Sequence, residues 1–173
     1  LQLADVQGAA GAAARRALGE LREQIDAAAD AVREVAHGLS PRILSEQGLG
    51  PALEELAAGL PVETDVSWAG RTGAGAPSPS DEASEDLYLI ASEAITNAMK
   101  HSGCGRLEVD VAPRDGVVQL TVRDDGAGGA APTGRGILSM AARARRLGGT
   151  FELVSPDGGP TTVTVRIPSG GPR

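Results

Sequence analysis

The sequence RLEVDVAPRDGVVQLTVRDDGAG, residues 106–128, alternates apolar and polar residues on either side of a Pro-Arg-Asp-Gly turn. Alternation with a period of two is typical of a β-strand with one buried face, and the turn residues predict an antiparallel hairpin. A similar pattern recurs in residues 150–155 and 161–167, which flank a Pro-Asp-Gly-Gly turn. The two hairpins predict a mostly antiparallel sheet.

Helical patterns surround the hairpins. A short helix is predicted near Pro51, leading into a strand over residues 62–68, and another helix covers about residues 137–147. A longer helix begins after Ser80, which can act as its N-cap. Its first turns hold acids that favour the positive end of a helix dipole: Asp81, Glu82, Glu85 and Asp86. These elements predict an α+β fold, a two-layer α/β sandwich with helices on one face of the sheet.

The N-terminal region is Ala-rich and carries a narrow apolar seam. Its members alternate intervals of three and four residues: Leu18, Leu21, Ile25, Ala28, Val32, Val35 and Leu39. Such a seam is typical of a long helix that packs against a partner helix. A surface helix packed on its own domain is the alternative interpretation.

Composition narrows the classes of function. A formal charge of -7 and 2% aromatic residues disfavour nucleic acid as a partner, because phosphate backbones attract basic surfaces and bases stack on aromatic rings. Cys104 is the single cysteine, which excludes an internal disulfide and fits a cytoplasmic location. No apolar run approaches the roughly 18 residues that cross a bilayer, so we expect no membrane segment in this chain.

The first polar stretch with candidate chemistry lies on the long helix. Glu93 and Asn97 are four residues apart and share one side of it, with Lys100 and His101 one turn further along. A solvated helix face is the alternative interpretation. Asn is a poor helix former at an interior position and gains little there unless its amide oxygen binds something.

A second stretch follows the central hairpin. Asp124 stands at the end of a strand and is followed by Gly126 and Gly128. A carboxylate fixed at a strand end can accept a donor, while glycines let a flat ligand approach the backbone. An Asp-Gly surface turn is the alternative. The glycines also fit a dinucleotide fingerprint, but that motif needs a helix where Pro132 and Gly134 stand.

The third stretch, Gly-Arg-Gly-Ile-Leu at residues 134–138, is a Gly-rich entry into a helix, which offers free N–H groups and a positive dipole end to phosphate. In order and spacing, the three stretches resemble the GHKL ATPases, a family that includes gyrase, MutL and the histidine kinases. Residues 93–102 look like the N box of histidine kinases in the NarL-associated group, residues 124–128 like the G1 box, and residues 134–138 like the G2 box.

The resemblance extends upstream, because residues 36–41 are similar to the end of that group's dimerisation helix. It implies the Bergerat ATP-binding fold preceded by a long helix. The implied regions are a partial dimerisation helical region at 1–45, a connecting helix and first strand at 46–69, a loop at 70–80, and the remainder of the ATP-binding domain at 81–170.

The resemblance also implies ATP and Mg²⁺ as cofactors. Asn97 would ligate Mg²⁺ between the ATP phosphates, and Glu93 would polarise a water or help proton transfer, which makes both catalytic residues. Asp124 would accept the adenine amino hydrogen, Thr161 would complete that contact, and the G1 glycines would leave room for the ring. The remaining implied nucleotide contacts are Lys100, His101, Gly126, Gly128, Gly134, Arg135 and Gly136.

Residues 127–133 correspond to the family's lid, and their small side chains suit opening and closing. Two features depart from the family pattern. Pro160 precedes Thr161, where Gly is usual, and no Phe-containing box lies between G1 and G2.

The implied activity is that of an ATP-dependent protein-histidine kinase in a two-component system. Such a kinase is a homodimer that phosphorylates a histidine on its first dimerisation helix and passes the phosphate to a response regulator. His37 lies at the far end of the second helix with no acid beside it, so we expect the acceptor ahead of Leu1 and no autophosphorylation by this fragment.

Two alternatives stay open. One is an anti-sigma-factor-type serine kinase, which shares the GHKL fold but would lack the apolar seam. The other is a nucleotide-binding regulatory scaffold without turnover, which the presence of Glu93 and Asn97 disfavours.

Overall fold

The computed structural model describes residues 42–68, 79–114 and 116–169. These residues belong to one compact unit, which spans residues 41–173. The apolar seam, His37 and most of the expected loop at 70–80 lie outside the described residues, so those interpretations stay predictions. No helix in the described ranges is long and apolar enough to span a membrane.

The sheet has five strands: β1 (Glu63–Trp68), β2 (Arg106–Arg114), β3 (Val117–Asp124), β4 (Thr150–Val154) and β5 (Thr161–Pro168). Their order across the sheet is β1-β2-β3-β5-β4. The pairs β2–β3, β3–β5 and β4–β5 are antiparallel, as the two hairpins predict. β1 pairs with β2 in parallel, which the sequence did not reveal because no hairpin joins them.

The helices are α1 (Arg42–Gln47), α2 (Leu49–Ala58), α3 (Asp81–Asn97) and α4 (Arg135–Arg146). α3 begins as predicted, because the Ser80 side chain accepts a hydrogen bond from the Ala83 N–H at 3.3 Å. α3 continues into a π-helical turn, Ala98–Ser102, which the sequence pattern did not predict. α4 begins two residues before the predicted boundary at Ile137.

The helices lie on one face of the sheet, which confirms the predicted two-layer α+β architecture. Every second residue of β3 and β5 is buried: Val118, Leu120, Val122, Val163, Val165 and Ile167. These side chains share one hydrophobic cluster with Leu87, Ile90 and Ala94 of α3. The opposite face is polar, as shown by the cross-strand pair Gln119 and Arg166, which are joined by a hydrogen bond of 2.9 Å. Each buried Leu, Ile or Val contributes about 1.5–3 kcal/mol.

At the β1 edge, α2 packs onto the indole ring of Trp68. A Cβ atom on Gly50 would lie 2.5 Å from ring atom Cε2, so only glycine allows this approach. The indole N–H donates to Glu54 on the same helix at 3.2 Å. The pair of contacts fixes α2 against the end of the first strand.

Asp86 corrects an expectation from the sequence, which placed it among the acids that favour the dipole of α3. The structure buries its side chain, which is 1% exposed, between α3 and α4. The carboxylate accepts from Arg143 Nη1 at 3.2 Å and from Arg146 Nε at 3.0 Å, and a second Arg146 nitrogen also donates to it. This hydrogen bond to Asp86 is the main reason that the pKa of Arg146 is raised above its ordinary value.

We expect Asp86→Asn to lower the free energy of unfolding by about 1.5–3 kcal/mol, because it removes the charge that both guanidinium groups bind. Urea denaturation measures the change. Asp65→Asn, which alters an exposed acid of β1, is the matched control and should stay within about 0.5 kcal/mol of the parent. Equal losses for the two variants would show that the buried ion pairs contribute no net stability.

Candidate functional site

The C-terminal part of α3 faces the first turn of α4. Glu93 and Asn97 are half-buried there, and both lie against Gly136. A Cβ atom on Gly136 would lie 3.2 Å from Nδ2 of Asn97 and would collide with the Glu93 carboxylate. The structure therefore brings together residues that the sequence predicted from two separate stretches, the N box and the G2 box.

The start of α4 presents backbone donors at the same place. Gly134 precedes the helix, and its carbonyl accepts the N–H of Leu138 at 3.0 Å. The first N–H groups of a helix have no intrahelical acceptor and lie at its positive dipole end, which suits an anion. Arg135 is exposed at this point. Backbone donors that suit an anion and the predicted oxygen ligands of α3 thus lie at the same place.

The second half of the site lies at the end of β3. Asp124 is 5% exposed, and its Oδ1 accepts the N–H of Gly126 at 2.8 Å. Thr161 stands directly opposite on β5, so the two side chains point to the same face of the sheet. A carboxylate has about four acceptor positions, which leaves capacity for a ligand donor beside the Thr161 hydroxyl. The predicted adenine contacts are therefore adjacent.

The glycines of the G1 stretch pack closely against the protein itself. A Cβ on Gly126 would lie 2.5 Å from Oγ of Ser102, at the end of the π-helical turn. A Cβ on Gly128 would lie 2.5 Å from the Gly159 carbonyl, and its φ of +63° is one that side chains disfavour. Internal packing thus accounts for both glycines. That they also leave room for a ring stays a prediction.

Lys100 and His101 lie on the π-helical turn, and both are exposed. The turn ends at Ser102, whose Oγ donates to the Ala98 carbonyl at 2.8 Å and accepts the N–H of Cys104 at 3.1 Å. The Ser102 carbonyl accepts the N–H of Ala127 at 3.0 Å. The N box and the G1 stretch are therefore joined by Ser102, which sequence reasoning did not assign.

Asp125 was also missed. Its Oδ1 accepts the N–H groups of Gly105 at 2.9 Å and Arg106 at 3.0 Å, which ties the loop after β3 to the start of β2. The hydrogen bond from Arg106, followed by that from Gly105, holds the pKa of the Asp125 carboxyl below its ordinary value of 3.8. The Asp-Gly pair at residues 125–126 indicates a turn, but no neighbouring sequence feature identifies the hydrogen-bond partners of Asp125.

Comparison with known proteins identifies the family of this chain. Residues 82–171 match the family described as histidine kinase-, DNA gyrase B- and HSP90-like ATPase. The sensor histidine kinase MctS of Rhizobium johnstonii is 31% identical over 162 residues, covering 87% of this chain and 34% of MctS. The nitrate/nitrite sensor protein NarX of Escherichia coli is 35% identical over 161 residues, covering 87% of this chain and 26% of NarX. The chain thus spans about a quarter to a third of the length of these relatives.

Among solved structures, the ATP binding domain of PrrB from Mycobacterium tuberculosis superposes with a TM-score of 0.51 at 25% identity, covering 72% of this chain and 92% of that domain. The chain belongs to the histidine kinase-, gyrase B- and HSP90-like ATPase family. Within it, the chain is an ATP-binding catalytic domain of the sensor histidine kinase type, as the three boxes predicted.

We expect Gly136→Ala to weaken ATP binding on the order of tenfold, because the added Cβ displaces the Glu93 carboxylate and the Asn97 amide. The displaced atoms lie at the ends of flexible side chains, so the melting temperature should change little. Calorimetric titration with MgATP measures the affinity. Gly59→Ala, whose Cβ would meet only a carbonyl at 3.7 Å, is the matched control. Undiminished affinity in Gly136→Ala would place the nucleotide elsewhere.

Acid titration tests Asp125. Its pKa is lower in the folded state, so its charge stabilises the fold above the unfolded pKa and this contribution is lost as the pH falls through the folded pKa. Asp125→Asn keeps an oxygen acceptor but removes the charge. We expect a lower melting temperature than the parent at pH 7, and a difference that narrows below about pH 3.8. A difference independent of pH would rule out this role of the charge.

Proposed function

We propose that this domain binds MgATP and provides its γ-phosphate to a histidine on a dimerisation helix of the kinase to which it belongs, for relay to a response regulator. The observation that carries the proposal is the packing of Gly136 against Glu93 and Asn97, which brings the first turn of α4 to the N box. The names of the relatives, sensor histidine kinases and a nitrate/nitrite sensor, support the same activity.

The phosphate end of the proposed site carries groups that can neutralise phosphate charge. The first turn of α4 offers backbone N–H donors to phosphate, the exposed Lys100 and Arg135 supply positive charge, and the exposed His101 follows Lys100 on the π-helical turn. Phosphoryl transfer depends mainly on positioning and neutralisation of charge, which such a constellation provides. Glu93, beside Asn97, is proposed to polarise a water or to help proton transfer.

The donor set at Asn97 fits Mg²⁺. Amide and carboxylate oxygens are hard ligands of the kind that Mg²⁺ binds, usually together with substrate phosphates. No group of three or more His, Cys, Asp and Glu within the described ranges is placed to hold a metal ion. When bound, the ion neutralises phosphate charge. Asn97 is the residue proposed to hold it.

The adenine end of the proposed site should distinguish adenine from guanine. Asp124 presents an acceptor where adenine carries its amino group, whereas guanine carries the O6 acceptor at that position. With guanine, two acceptors face each other and the hydrogen bond to the carboxylate is lost. A hydrogen bond to a charged group contributes about 1.5–3 kcal/mol, which corresponds to roughly 10–100-fold in affinity. The same Asp124 contact is available to adenosine, which has no phosphate.

The dimer and the acceptor are proposed from sequence. The seam from Leu18 to Leu39 would pair with a second copy, and a histidine of the first dimerisation helix would receive the phosphate. Neither His37, in that seam, nor His101, in the N box, is proposed as the acceptor. The domain is proposed to act in the cytoplasm.

Calorimetric titration of the chain with ATP, GTP and adenosine tests the proposal. ATP should bind about 10–100-fold more tightly than GTP. Asn97→Ala should weaken MgATP on the order of tenfold and leave adenosine unchanged, because adenosine has no phosphate to share an ion. Asp124→Ala should weaken both ligands.

The outcomes separate the roles of the two residues. Equal affinity for ATP and GTP would refute the adenine role of Asp124. Equal losses of ATP and adenosine in Asn97→Ala would make Asn97 a structural residue. Glu108→Ala, an exposed acid of β2, is the control and should bind both ligands as the parent does.

A further inference from the structure

Ser155 directly follows β4 and joins two parts of the site. Its Oγ lies 2.9 Å from the Thr161 hydroxyl oxygen and accepts the N–H of Ala130 at 3.0 Å. Its carbonyl accepts the N–H of Gly129 at 3.3 Å. Ala130 and Gly129 belong to the segment between the G1 and G2 boxes, so one serine contacts both this segment and the predicted adenine contact.

The backbone fixes the direction of one of these hydrogen bonds, and either hydroxyl can donate in the other. A backbone N–H can only donate, so Ser155 Oγ is the acceptor toward Ala130. The Ser155 hydroxyl still has one hydrogen, and the Thr161 oxygen lies within reach of it. Donation from Ser155 to Thr161 would satisfy that hydrogen, and a half-buried donor without an acceptor costs free energy. In that arrangement the Thr161 hydroxyl keeps its own hydrogen for another acceptor.

In the same arrangement, the free hydrogen of Thr161 is available on the face that Asp124 shares, since the two residues are directly opposite on β3 and β5. The site would then present a hydroxyl donor beside a carboxylate acceptor. Adenine is complementary to that pair, because its N1 accepts and its amino group donates. Hypoxanthine is the reverse on both atoms, with an N1–H donor and an O6 acceptor.

We propose that Ser155 is a positioning residue that holds the Thr161 hydroxyl as a donor and thereby couples the segment at Ala130 to recognition of adenine. The proposal rests on the proposed binding of ATP at Asp124 and Thr161. Hydrogen bonds in such a chain strengthen one another, so an adenine bound at Thr161 also strengthens the bond to Ala130. The connection between β4 and β5 makes a further hydrogen bond to this segment, from the N–H of Gly158 to the Ala127 carbonyl at 2.8 Å.

Titration of the whole chain with ATP and with inosine triphosphate tests the proposal. We expect Ser155→Ala to lower the affinity for ATP about fivefold and to leave that for inosine triphosphate nearly unchanged, so that the ratio of the two falls. Ser155→Thr, which keeps the hydroxyl, should restore the ratio. In a Thr161→Val background, Ser155→Ala should change the ratio no further.

A purely structural role predicts a different pattern, in which Ser155→Ala weakens both nucleotides equally or acts independently of Thr161→Val. Either result overturns the proposal. If Ser155→Ala does not fold, Ser155→Cys replaces it with the same expected fall in the ratio, because a thiol is a weak donor. Ser45→Ala, an exposed serine of α1, is the control.

The unsubstituted chain tests the proposed function separately. If the unsubstituted chain binds neither nucleotide, or binds both equally, ATP recognition at Asp124 is refuted. If the unsubstituted chain prefers ATP and Ser155→Ala shows the same preference, only the role of Ser155 is refuted.

Discussion

The site depends on the close approach of α4 to α3 at Gly136. This contact leaves no room for a side chain unless Glu93 and Asn97 move. A second contact, from Asp86 to arginines near the end of α4, fixes the same pair of antiparallel helices. Asp86 and Glu93 are seven residues apart, about 10 Å along α3. Two fixed points at that separation set both the rotation and the position of α4, and hence of the donors at its first turn.

Strand register sets the other half of the site. Asp124 and Thr161 share a face because they are paired across β3 and β5, and a slip of one residue would send Thr161 to the opposite face. The buried alternation along both strands opposes such a slip, since it would expose the side chains of Val163 and Val165. The hydrophobic core therefore maintains the geometry of the polar site.

The sequence predicted those features whose signal is local. The capping by Ser80, the two hairpins and the three boxes follow from spacing within about ten residues or from resemblance. Contacts across the fold left no such signal. Asp86 and Arg143 are 57 residues apart, and an acid near the start of a helix is usually explained by the dipole. Ser155 follows a strand as an ordinary polar residue, and only the folded structure places it beside Thr161.

The position of Trp68 determines what intrinsic fluorescence can report. It is the one tryptophan of the chain, and its ring lies against Gly50 and Glu54 of α2. Through the register, it is two strands and four residues from Asp124, about 16 Å across the sheet. Its emission therefore follows the docking of α2 onto the edge strand and is insensitive to occupancy of the adenine contacts. A shift in emission without loss of ligand binding would mark partial unfolding at the β1 edge of the sheet.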